Sequence, residues 1–129
     1  MNTLPLVFLH SLSFSHRSLA KIFAQDQDYA GFYNNLNATT LKNLGIKDER
    51  IQSILEQKSK LDEAKIEATI ERLGVRIVTI HDDEYPTYLR ETKIFPYFLY
   101  VRGNLRGGED YISIVGSRKS TPYSRHALE

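Results

Sequence analysis

Residues 111–122 read YISIVGSRKSTP, and this stretch decides the fold class expected for the second half of the chain. A short β-rich apolar run stops at Gly116, and a hydroxyl, two cations, two more hydroxyls and a proline follow. That order predicts a strand that passes through a tight turn into a helix N-terminus, where free backbone N–H groups and the helix dipole favour a phosphate. The stretch therefore predicts a phosphate-binding turn.

Five residues of this turn are the candidate phosphate contacts. Gly116 permits a backbone geometry that a side chain would hinder. Ser117 offers a hydroxyl and Arg118 a forked guanidinium, the group that binds phosphate in a bidentate manner. Lys119 adds a second cation, and Thr121 is a candidate N-cap that a proline follows. A plain strand–helix connection with solvated cations remains open on the residues alone. Neither GxGxxG nor GxxxxGK[ST] is present, so a dinucleotide site and a P-loop have no support.

Composition sets broad limits on the class of protein. The 129 residues carry a formal net charge of +1, so an anion site must arise from local clustering and not from bulk charge. The absence of cysteine excludes disulfides, thiolate chemistry and cysteine-ligated metals. The apolar run from Leu4 to Leu9 is too short to span a bilayer and predicts a buried helix segment, not a signal peptide. We expect a cytoplasmic protein without membrane contact.

The pattern changes from helical to β-like near Gly74, which predicts one domain over residues 1–73 and another over residues 74–129. Before Gly74, apolar residues keep helical spacing, and one helix is predicted to run from Leu12 to about Ala24. Asn37 or Thr39 is the candidate cap of a small helix that Gly45 ends, and the last helical pattern stops at Gly74. The charged stretch 58–65 predicts either one long solvated helix or a joint between two helices. The first domain is therefore expected to be all-helical.

Three strand candidates follow, at residues 75–80, 97–101 and 111–115. The third is an almost continuous apolar run, which is typical of a strand buried on both faces of a parallel sheet. A parallel sheet needs crossover helices and further strands, and residues 118–129 provide barely one helix. We therefore expect an α+β fragment, with the beginning of a truncated α/β domain at the end of the chain.

Other residues offer weaker chemical signals. The cluster HDDE at 81–84 could be drawn as a metal site, but adjacent carboxylates at a turn more often cap a helix or lie in water. No serine, histidine or acid stands in a recognisable catalytic arrangement, so no catalytic residue, cofactor or metal is predicted. Tyr97, Phe98 and Tyr100 could stack on bases, although packing into the core is the commoner fate of aromatic residues on a strand.

The order of three motifs resembles a known family. They are LGVRIVTIHDDEYPTYLRET at 73–92, FPYFLYVRGNL at 95–105 and ISIVGSRKSTPYS at 112–124. Together with the helical domain before them, they resemble the DNA-processing protein A family, DprA or Smf. The resemblance implies a helical domain related to SAM or helix-hairpin-helix folds, then a Rossmann-like domain. It implies a protein that is not an enzyme, binds single-stranded DNA, forms a homodimer when full-length and loads RecA during natural transformation.

The resemblance also implies that Gly116, Ser117 and Arg118 receive DNA phosphates, with Lys119 and Thr121 nearby. The helical domain departs from the family pattern, because the first hairpin reads LSFSH at 12–16 without a glycine, whereas the second keeps Gly45. Residues 1–73 are therefore expected to serve as a structural or interaction module. If they do bind DNA, the first candidate contacts are His16, Arg17 and Lys21. The alternative functions are a nucleotide- or phosphometabolite-binding Rossmann protein, or a protein-interaction module.

Overall fold

The structure is a computed structural model that describes residues 2–105. Six helices precede a pair of strands, and a single helical turn lies between the strands. In chain order the elements are α1 (Leu4–Ser11), α2 (His16–Ile22), α3 (Tyr29–Asn34), α4 (Ala38–Asn43), α5 (Asp48–Lys60), α6 (Glu63–Leu73), β1 (Val75–Thr79), α7 (Thr87–Arg90) and β2 (Phe98–Arg102). The mixed α+β class expected from the sequence is confirmed at this level for the described residues.

Side-chain caps explain where several helices begin. Ser15, Asp28, Asn37 and Asp62 each accept a hydrogen bond from the backbone N–H three residues later. Such caps satisfy donors that the first turn of a helix leaves without a partner. Of the two predicted caps, Asn37 and Thr39, the structure confirms Asn37. The joint within 58–65 is the correct alternative, since α5 ends at Lys60 and Asp62 caps α6.

The prediction of one helix from Leu12 to Ala24 was wrong. Leu12 ends α1 and Ser15 caps α2, so a turn separates the two helices. Within this turn Ser13 has a φ of 65°, a left-handed backbone conformation that residues other than glycine and asparagine rarely adopt. The N–H groups of Ser13 and Phe14 donate to the carbonyls of His10 and Leu9 and hold the turn closed.

The two strands form an antiparallel pair. Val75 lies opposite Arg102 and Thr79 opposite Phe98, and the ladder continues beyond β1 because the N–H of Ile80 donates to the carbonyl of Tyr97. Alternation places Ile77, Thr79 and Phe98 on one face and Val78 and Val101 on the other. A doubly wound sheet is built from parallel strands, so β1 and β2 by themselves do not show a Rossmann-like domain.

One hydrophobic core joins the helices to the sheet. Its buried members come from α1 to α5 and their turns and also include Tyr97 and Phe98, while Ile77 and Ile80 pack against it. The opposite face of the sheet has a smaller cluster of Val78, Tyr85 and Val101. Both faces of the strand pair are thus covered, and the core crosses the predicted boundary at Gly74; the division into two domains stays a prediction.

Helix α6, like the short α7, has no fully buried residue. It ends at Gly74, whose φ of 60° lies in the left-handed region that favours glycine at this position of a helix. Strand β1 begins at the next residue. Among residues 2–105, no helix has the length and apolar character needed to cross a membrane.

Candidate nucleic-acid interface

The predicted phosphate-binding turn lies outside the described residues. Gly116, Ser117, Arg118, Lys119 and Thr121 all follow residue 105, as does the predicted third strand at 111–115. The described residues that precede them most closely in the sequence form β1, β2 and the loop between these strands.

Hydrogen bonds and ring contacts fix β2 against the helices. The backbone N–H of Tyr97 donates to Nδ1 of His16 at 3.1 Å, and the hydroxyl of Tyr100 bonds to Nδ1 of His10 at 3.1 Å. The ring of Phe98 packs edge-on against His10, with centroids 5.5 Å apart, and lies 5.1 Å from the ring of His16. These contacts position the strand from which the chain continues toward the predicted turn.

Two of the three aromatic residues predicted to pack in the core are buried. Tyr97 and Phe98 are each 1% exposed, whereas Tyr100 is 46% exposed. The hydroxyl of Tyr97 bonds to that of Tyr29 at 3.1 Å and to Nε2 of His81 at 3.3 Å. Burial raises the pKa of Tyr97, and its hydrogen bond with Tyr29 raises it further, so this hydroxyl stays protonated as part of a structural network.

The hydrogen bond between Tyr97 and His16 depends on the protonation state of His16. Burial lowers the pKa of its imidazole below the ordinary 6.5, and the neighbouring charge of His10 lowers it further. The neutral ring is the form that accepts the N–H of Tyr97 at Nδ1.

We expect the stability of the protein to fall as the pH is lowered below about 6.5. The unfolded chain binds a proton at His16 more readily than the folded chain, so this contribution is complete above pH 6.5 and is lost toward the lower folded pKa. Urea unfolding midpoints measured between about pH 8 and pH 5 test the prediction. His16→Asn, whose side-chain oxygen can still accept an N–H, should give a flatter profile; a variant profile as steep as that of the wild type would contradict the role of His16.

Two acidic residues of the loop after β1, Asp82 and Glu84, have structural partners. Oδ2 of Asp82 accepts from the backbone N–H of Thr79 at 2.6 Å and from its hydroxyl at 2.8 Å. Glu84 pairs with Arg76 across the loop. Within the described part of the chain, no group of three or more histidine, cysteine or acidic residues is arranged to hold a metal ion.

The three candidate DNA contacts of the helical part have different surroundings. The ring of His16 is engaged with Phe98 and Tyr97, whereas Lys21 lies at a cleft beside α5. Arg17 is exposed on α2. Nη2 of Arg50 donates to the carbonyl of Ser13 at 2.9 Å and joins the same cleft, a placement that no local sequence signal indicates because 37 positions separate the two residues.

The hairpin backbone of the helical part is also occupied. The N–H of Gly45 donates to the carbonyl of Lys42 at 2.9 Å, and that of Ile46 to Leu41 at 3.2 Å. The turn at Ser13 and Phe14 likewise uses its amides internally. Phosphate binding by a hairpin needs amides that point outward, so these four amides are not available to a DNA backbone.

One comparison with known proteins finds a similarity to a protein family. Residues 76–129 match the family model described as DNA recombination-mediator protein A, the family that the three sequence motifs resemble. The matched range begins in β1, includes α7 and β2, and contains all five predicted phosphate contacts. No curated protein and no solved structure matches the chain significantly. The match over residues 76–129 supports a role in DNA recombination or processing.

Proposed function

We propose that this protein is a cytoplasmic single-stranded-DNA-binding recombination mediator that protects incoming DNA and loads RecA during natural transformation. The family match over residues 76–129 carries the proposal. It includes the glycine–hydroxyl–cation turn at 116–121, whose chemistry suits a phosphate. Family and turn chemistry therefore support the same class of ligand.

The proposed contacts are Gly116, Ser117, Arg118, Lys119 and Thr121. A glycine lets the backbone approach a phosphate closely, and arginine offers two parallel N–H donors to its oxygens. Such contacts read the backbone and not the bases, so binding is expected to be independent of sequence. No catalytic role is proposed for these residues.

The described residues support this proposal through the packing of β2, which precedes the proposed contacts in the sequence. A binding group positioned by a packed element is held more accurately than one on an unsupported loop. Phe98 and Val101 are 1% and 7% exposed, and the preceding Tyr97 is bonded to α2 through His16. The segment after Arg102 therefore starts from a fixed strand.

The proposed architecture has two parts. Residues 1–73 form a helical module related to SAM or helix-hairpin-helix folds, and residues 74–129 begin a Rossmann-like domain. In this arrangement the antiparallel pair of β1 and β2 would flank the parallel part of the sheet. The full-length protein is proposed to act as a homodimer.

The test is a titration of the protein with labelled oligothymidine over a series of salt concentrations. Arg118→Ala should weaken binding about tenfold at low salt, since charge-assisted hydrogen bonds contribute about 1.5–3 kcal/mol. It should also reduce the magnitude of the salt slope by about 0.7, the value for one phosphate contact on a single strand.

The matched control is Arg72→Ala, which removes an exposed arginine from the last turn of α6. This control should leave both affinity and salt slope at their wild-type values. Equal affinities for the Arg118→Ala variant and the wild type would contradict the assignment of Arg118. Saturable binding of a mononucleotide without binding of oligothymidine would contradict the proposed function.

A further inference from the structure

A cleft with an apolar floor opens between α2 and the α4–α5 turn. Its volume is about 440 Å³. Five aliphatic or aromatic side chains line it, contributed by the turn before α2, by α2, by the α4–α5 turn and by α5: Phe14, Ile22, Leu44, Ile46 and Ile54. Leu44 is 42% exposed, so a large apolar side chain faces solvent at the mouth of the cleft.

The charged residues of the cleft share one sign. Among the described residues that line it, Lys21 and Arg50 are the charged ones, and both are cations. The guanidinium of Arg50 is oriented by its bond to the carbonyl of Ser13 at 2.9 Å. Apolar surface with cations beside it complements a ligand that presents apolar groups flanked by carboxylates.

The backbone around the cleft argues against a nucleic-acid occupant. The amides of Gly45 and Ile46 donate to carbonyls inside the chain, as do those of Ser13 and Phe14. The hairpin therefore lacks the outward amides that a phosphate would need at these positions. An apolar floor also gains nothing from a phosphodiester, whereas it gains from burying leucine or phenylalanine side chains.

We propose that this cleft is a docking site for an acidic amphipathic helix of a protein partner. The apolar face of the partner helix lies on Leu44, Ile46 and Ile22, in the helix-in-groove mode of peptide recognition. Its carboxylates pair with Lys21 and Arg50 at the edge of the cleft. The helical module thus recruits a protein, and the cleft shares no residue with the proposed DNA contacts at 116–121. The docking proposal does not depend on DNA binding.

The test uses the ¹⁵N-labelled protein and two synthetic peptides. Both peptides carry leucines at positions i, i+3, i+4 and i+7; glutamates fill the remaining positions in one and lysines in the other. The glutamate peptide should bind saturably and shift the amide resonances of Leu44, Ile46 and Arg50. The lysine peptide should bind at least about fivefold more weakly, as the loss of exposed charge pairs allows.

Two variants separate charge from apolar contact. Lys21→Glu should lower the affinity for the glutamate peptide about fivefold. The difference in affinity between the two peptides should become smaller or change sign. Leu44→Asp, at a half-exposed position, should abolish saturable binding of both peptides. Lys65→Glu on α6 makes the same charge change at an exposed position that does not line the cleft, and it should bind as the wild type does.

Three outcomes would overturn the proposal. The first is the absence of saturable shifts at the cleft amides with the glutamate peptide. The second is that oligothymidine shifts these amides in a titration where the peptide does not. The third is that the amides shift with protein concentration alone, which would make a second copy of the chain the occupant.

Discussion

Phe98→Ala is expected to lower the free energy of unfolding by about 3–5 kcal/mol, the range found when a buried phenylalanine is truncated. The side chain is 1% exposed and contacts the rings of His10 and His16, which belong to α1 and α2. Its removal leaves a cavity between the strand pair and the helices. The loss should therefore affect both parts of the chain.

Urea unfolding followed by two signals tests this expectation. Far-ultraviolet circular dichroism reports mainly on the helices, and tyrosine fluorescence reports on a set that includes the buried Tyr97. Both transitions should move together to lower urea in the Phe98→Ala variant, because one core joins the two parts. Tyr88→Ala is the control, since Tyr88 is 72% exposed and its loss should cost less than about 0.5 kcal/mol. A helical transition left at its wild-type midpoint would contradict a shared core.

Asp82→Ala is expected to lower the free energy of unfolding by about 2 kcal/mol. Asp82 accepts from both the N–H and the hydroxyl of Thr79, which is 4% exposed. Without this carboxylate, two donors at a buried position lose their partner, and each unsatisfied buried donor costs about 1–3 kcal/mol. Water that enters the space left by the shortened side chain offsets part of that cost.

The conservative variant at this position provides the control. Asp82→Asn retains an oxygen that can accept one of the two bonds, so it should lose about half as much stability as Asp82→Ala. Chemical denaturation at neutral pH measures both differences. A change of less than about 0.5 kcal/mol in the alanine variant would show that the contacts with Thr79 do not stabilise the turn.

Local signals in the sequence predicted much of the helical part. Asn37 was identified as a cap and Gly45 and Gly74 as helix ends, because each performs a task that depends on its own side chain or backbone. The break between α1 and α2 was missed because no glycine or proline marks it in the sequence. Ser13 adopts a left-handed φ although it is not a glycine. The turn is stabilised by the backbone N–H groups of Ser13 and Phe14, which donate to the carbonyls of His10 and Leu9.

Contacts between distant residues could not be predicted from local patterns. The bond from Tyr97 to His16 spans 81 positions, and that from Arg50 to Ser13 spans 37. Such pairs depend on how the elements pack, which hydrophobic periodicity does not specify. The predicted burial of Phe98 was confirmed because an apolar strand beside a helical core has to bury one face. Tyr97, just before the strand, is buried where its hydroxyl bonds to Tyr29 and His81. The phosphate contacts at 116–121 stay a prediction, since they lie outside the described residues.

The most direct test of the proposed function is the salt dependence of single-stranded DNA binding by the wild-type protein. The proposal predicts that oligothymidine and a mixed-sequence oligonucleotide bind with similar affinity. It also predicts that the logarithm of the binding constant falls linearly with the logarithm of salt concentration, by about 0.7 for each phosphate contact. Absence of binding at low salt, or an affinity that salt does not change, would contradict a phosphate-directed DNA-binding function.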